Sequence, residues 1–65
     1  MDKTKIEDIG LSIKAYHCLK SMGVNTLGAM MEKEISDFIV WRGLGRKTLD
    51  EIIRKGREYD PNWLR

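Results

Sequence analysis

The chain has 65 residues, a formal net charge of +2, one cysteine and one histidine. A chain this short makes one domain at most, with a net stability from its core on the order of 3–5 kcal/mol and no room for a deep cleft between lobes. No apolar run is long enough to cross a membrane, MDKTKIEDIG has no apolar centre of the signal-peptide kind, and the lone Cys18 excludes an internal disulfide and suits a reducing cytoplasm.

The elements are helical throughout, because apolar residues recur at spacings of three and four and no alternating run of β-branched residues occurs. The first helix is expected to start after Ser12, a good N-cap, and to run to about Ser21. Ala15, Tyr16, Leu19 and Met22 form its core stripe, while Lys14, His17, Cys18 and Ser21 form a face turned away from it. Gly23 ends the helix through a left-handed conformation. Asn25 or Thr26 then caps a short second helix through Leu27, Met30 and Met31, with both methionines as core filler. Glu34 to Val40 suits a third helix with Ile35, Phe38 and Ile39 buried, and Arg42-Gly43-Leu44-Gly45 is a tight turn, with Trp41 before it as core or turn packing. The fourth helix, from about Arg46 to Glu58, carries Leu49, Ile52, Ile53 and Gly56 as one stripe. Its acid-before-base pairs, Asp50 with Arg54 and Glu51 with Lys55, are each worth about 0.2–0.5 kcal/mol at i,i+4. Pro61 stops further helix, and Tyr59 and Trp63 are expected on the surface.

The fold class that follows is all-α: a compact bundle of four to five short helices with a helix-hairpin-helix motif. Residues 6–59 form the domain, residues 1–5 a loose N-terminal end and residues 60–65 a tail.

Charge is distributed unevenly. Lys14 and Lys20 lie in an acid-free stretch from Ser12 to Met22, and six bases between Arg42 and Arg57 face only Asp50 and Glu51. The acids gather at Asp2, Glu7 and Asp8 and at Glu32, Glu34 and Asp37. A fold that joins the two basic segments makes a basic face; otherwise the surface is simply mixed.

The stretch RGLGRKT admits two readings of its own. Glycine permits positive φ and close backbone approach. Leu44 can plug inward, and Gly45 sits where the first N–H groups of the fourth helix point outward at the positive end of its dipole. A phosphate fits there, with Arg46, Lys47 and Thr48 around it. Alternatively the glycines serve only the turn and the bases are solvated. The Lys14/His17/Cys18/Ser21 face is the candidate second element, since lysine can enter a narrow minor groove in A/T-rich DNA.

Taken together, the IEDIGLS segment, His17-Cys18-Leu19-Lys20, the Gly23–Thr26 turn and the LGRKTLDEI block from Leu44 to Ile52 resemble the C-terminal domain of the bacterial RNA polymerase α subunit. The similarity runs from Ile6 to about Ile53, with the motifs in the right order. It implies a compact helical domain, tethered to the rest of the polymerase, that binds the minor groove of A/T-rich double-stranded DNA upstream of promoters and offers other surfaces to transcription activators and the σ factor. A tether supplies effective concentration, so such a domain needs little affinity of its own. The family's DNA surface carries over to Lys14, His17, Cys18, Gly45, Lys47, Thr48 and Glu51, beside which Arg46 falls in the same turn. Lys14 stands where the family normally has arginine, losing the planar fork, and His17 stands where it normally has asparagine.

Other classes fit less well. His17 and Cys18 are adjacent on a helix and do not face each other, so no nucleophile–base pair exists and an enzyme is not expected. One histidine and one cysteine fall short of a zinc site, and no cofactor or membrane contact is implied. A protein-docking module built on Glu32, Glu34, Asp37, Tyr59 and Trp63 is the main rival. A generic helix-hairpin-helix phosphate binder of repair or recombination type is the third reading. The isolated domain is expected to be a monomer.

Overall fold

The computed structural model describes residues 3–41 and 43–65. Asp2 and Arg42, counted above among the acidic and basic groups, lie outside the described residues. A 3₁₀ turn at Ile6–Asp8 leads into four α-helices: α1 (Ile13–Ser21), α2 (Leu27–Met31), α3 (Ile35–Ile39) and α4 (Arg46–Tyr59). Among the described residues no strand forms, and one isolated antiparallel bridge joins Lys5 to Thr26.

Local chemistry fixes the helix ends. Ser12 caps α1 by accepting from the Ala15 N–H at 3.2 Å, and Thr26, rather than Asn25, caps α2 by accepting from Ala29 at 3.1 Å. The Asn25 side chain instead accepts from Lys20 Nζ at 2.9 Å. Glu34 opens α3, and its N–H donates to the Asp37 carboxylate at 2.8 Å. The end of α1 is a Schellman turn: Gly23 at φ +83° donates to Lys20 O at 3.0 Å, and Val24 donates to Leu19 O at 2.9 Å. The two side chains that this turn brings together, Leu19 and Val24, are both buried.

The core is one cluster of Ile6, Ile9, Ala15, Leu19, Val24, Leu27, Met30, Phe38, Ile52 and Trp63, with Tyr16, Met22, Met31, Leu44 and Leu49 packed around it. α4 is its spine, packing against both α1 and α2. The radius of gyration is 10.5 Å, close to the ~11 Å of a compact polypeptide of this length.

Several expectations change. Ile35 and Ile39 are 41% and 68% exposed, and only Phe38 of that trio is buried. A five-residue helix offers a single turn to the core, so one position points in while the next turn of the stripe overhangs solvent. Trp41 is 37% exposed. The pairs Asp50–Arg54 and Glu51–Lys55 do not form: Lys55 meets Glu58 at 3.7 Å, and Glu51 bonds to Ser12.

Trp63, placed on the surface above, is 6% exposed. Its indole lies on Gly56, where an added Cβ would fall inside van der Waals contact with the ring. It also stacks edge-on with Phe38 at 6.0 Å and donates Nε1–H to Met31 O at 3.0 Å. Arg57 fixes the segment from below, donating to the carbonyls of Trp63 at 3.0 Å and Leu64 at 3.3 Å. The segments expected to be loose therefore make contacts. Residues 60–65 carry a core side chain, and Thr4 O accepts from Leu27 N–H at 2.7 Å.

Candidate nucleic-acid interface

Of the two basic segments only part comes together: Lys14 meets the start of α4 at the Gly45 turn, while Lys20 turns to Glu7 and Asn25, Lys55 to Glu58 and Arg57 to the C-terminal carbonyls. Gly43 has φ +84°, so the positive-φ position of the turn is the first glycine. Leu44 is half-buried against the core, anchoring the turn as expected. Gly45 is the N-cap of α4 in extended conformation (φ −73°, ψ 160°), and the helix has no side-chain cap. The first N–H groups of a fourteen-residue helix therefore open outward at the positive end of its dipole.

Lys14 reaches this opening from α1. A Cβ placed on Gly45 would lie 4.0 Å from Lys14 Nζ, at ordinary contact distance. Lys14, His17, Gly45, Arg46 and Lys47 are exposed, while Cys18 and Glu51 are half-buried. Thr48 is 6% exposed, so its side chain belongs to the turn's packing more than to its outer surface. The His17 ring packs edge-on against Tyr16, with centroids 5.3 Å apart. The structure thus brings Lys14 to the Gly45 turn with Arg46 and Lys47 beside it, while Thr48 faces inward.

The charge pattern runs against helix stability. Acids belong in the first turn of a helix, where each is worth about 0.3–1 kcal/mol. Neither α1 nor α4 has one there. Instead α1 begins with Lys14 in its first turn and α4 with Arg46 and Lys47. An anion held at the start of α4 would reverse the sign of that repulsion, as the Glu51 carboxylate bonded to Ser12 does at the start of α1.

Sequence reasoning missed one contact in this region. Glu51 Oε2 accepts from the Ser12 backbone N–H at 2.6 Å, and Glu51 Oε1 accepts from the Ser12 hydroxyl at 2.7 Å. The two residues are 39 positions apart, and nothing in their local patterns pairs them.

These features define a small all-α domain whose helical hairpin and first helix present bases around an uncapped helix start. The protein belongs to the family defined by the C-terminal domain of the bacterial RNA polymerase alpha subunit, and the family model matches residues 1–56. It is 46% identical over 50 residues to the DNA-directed RNA polymerase subunit alpha of Carboxydothermus hydrogenoformans, covering 77% of the present sequence and 16% of that protein. The subunit of Leuconostoc mesenteroides is 44% identical over 54 residues (83% and 17%), and that of Clostridium perfringens 40% over 57 residues (88% and 18%). The match therefore spans only 16 to 18% of the length of these relatives. No solved structure matches it.

Proposed function

We propose that this protein is a non-catalytic DNA-binding and transcription-factor-docking domain of a bacterial RNA polymerase, working in the cytoplasm. Lys14, His17 and Cys18 on α1 and Gly45, Arg46 and Lys47 at the start of α4 straddle the minor groove of A/T-rich duplex DNA, while Thr48 packs beneath the turn and supports it. Glu51 belongs to the same surface. The observation that carries this reading is the approach of Lys14 Nζ to the Gly45 position, 4.0 Å from a Cβ built there. One helix start gives affinity without orientation; a lysine held beside it from a second helix supplies a direction. The uncapped amides of α4 take a backbone phosphate, and Lys14 enters the groove where its negative potential is strongest.

The test is an amide NMR titration at low salt with an A/T-tract duplex and a mixed-sequence duplex, repeated with Lys14→Ala. Shifts at residues 14–18 and 45–51, larger for the A/T tract and lost in the variant, support the reading. A folded protein with no shifts overturns it.

A second reading has its own observation. Ile35, Ile39, Val40 and Trp41 form an exposed apolar strip on α3 and its exit, beside the exposed acids Glu34 and Asp37. Such a strip suits docking to an activator or the σ factor, and it accounts for a domain that keeps the fold without DNA affinity. Binding that persists as salt is raised separates docking from phosphate contact.

A further inference from the structure

We infer that Glu51 is a positioning residue of the DNA surface: it holds the start of α1 against α4, so that Lys14 stays in register with the Gly45 turn. The inference rests on the DNA-binding reading above and assigns Glu51 a role within it other than contact with DNA.

Both carboxylate oxygens of Glu51 are already engaged by Ser12, one by its N–H at 2.6 Å and one by its hydroxyl at 2.7 Å. The same hydroxyl oxygen accepts from Ala15 N–H at 3.2 Å, so Ser12 uses its donor on α4 and its acceptor on α1. A relay results, running from the α4 carboxylate through the Ser12 hydroxyl to the first turn of α1. Hydrogen bonds to an ionised acceptor are the stronger kind and fix geometry.

Its location gives the relay its purpose. Lys14 lies two residues beyond Ser12, and Lys47 lies one helical turn before Glu51. The clamp thus ties the two basic elements at their bases. α1 has no acid in its own first turn, and Glu51 supplies one from another helix, where it favours the α1 dipole. The start of α1 is thereby occupied by a protein carboxylate, while the start of α4 has no side-chain cap. A direct role for Glu51 on DNA is opposed by its charge, which repels phosphate.

The experiment compares the parent protein with Glu51→Ala, Ser12→Ala, the double variant, Ser12→Thr and Lys14→Ala. Affinity for an A/T-tract duplex is measured across salt concentration, with thermal unfolding as a check of folding. Glu51→Ala and Ser12→Ala should each weaken binding about three- to tenfold, the factor that one net hydrogen bond carries. The double variant should lose no more than the worse single, because the two act as one unit. Ser12→Thr, which keeps hydroxyl and N–H, should bind as the parent does. The slope of log affinity against log salt should stay at the parent value in the clamp variants, whereas Lys14→Ala lowers it by about one. Unchanged or tighter binding by Glu51→Ala overturns the inference, as do multiplied losses in the double variant. Should Glu51→Ala fail to fold, Ser12→Ala and Ser12→Thr decide the matter alone. No binding by the parent protein overturns the functional reading and the inference together; parent binding indifferent to the clamp overturns only the inference.

Discussion

The two ends of α4 are built in opposite ways. Its last turns are closed: Gly56 lies under the Trp63 indole, Arg57 donates to two carbonyls of the returning segment, and the indole N–H reaches Met31 O on α2. Its first turn is open, with a glycine cap, exposed Arg46 and Lys47 and no acid to complement the dipole. Ile52, fully buried, sits between the two. In a domain with one small core, packing and an open charged surface cannot occupy separate layers, and here they lie at opposite ends of a single helix. The closed end offsets what the open end forgoes.

Substitutions at either end sharpen this contrast. The largest effect should come from Trp63→Ala, which costs about 3–5 kcal/mol as a buried aromatic truncation. At about 4–8 °C per kcal/mol for a domain of this size, that removes most of the thermal stability in a calorimetric melt. DNA affinity of whatever fraction stays folded should be untouched. Arg57→Ala, which frees two carbonyls of the C-terminal segment, should cost about 1–2 kcal/mol by the same melt.

At the open end the signs separate. Gly45→Asp adds a capping side chain where the nearest neighbour to a new Cβ is Lys14 Nζ at 4.0 Å, so the helix gains a cap without a clash. It should raise stability by a few tenths of a kcal/mol, the usual difference between glycine and a good cap, while weakening DNA binding, because a carboxylate would occupy the position proposed for a phosphate. Loss of stability together with tighter binding would break the comparison. Lys14→Ala should change stability least, within about 0.5 kcal/mol as for an exposed site, with its effect confined to DNA affinity and salt slope.

How much of this was legible in the sequence depends on range. α1 and α4 could be read because their signals are local: Ser12 before the first helix, Gly23 after it, and a stripe through Leu49, Ile52, Ile53 and Gly56. The position of α3 was also readable from the spacing of Ile35, Phe38 and Ile39, but not its burial. The i, i+3, i+4 spacing of Ile35, Phe38 and Ile39 marks a face without saying how much of that face a one-turn helix can cover. Trp63 escaped because it follows Pro61 and lies outside any periodic stretch. Its signal was Gly56, a gap in an otherwise bulky stripe, which is where a large ring from elsewhere can lie. The Lys14–Gly45 approach and the Ser12–Glu51 clamp join residues more than thirty positions apart, and single-sequence patterns carry no distance information at that range.

The placement of the two tryptophans has an optical consequence. Trp63 is buried against Gly56 and Phe38, whereas Trp41 is 37% exposed immediately before the turn that leads into α4. Indole emission follows the polarity around the ring, so the native protein emits as two populations, one shielded and one wet. A soluble quencher should extinguish Trp41 first and leave a bluer residual signal from Trp63 that reddens only on unfolding. Each tryptophan thereby reports on one end of α4, Trp41 on the open end and Trp63 on the closed end, in a single unlabelled sample.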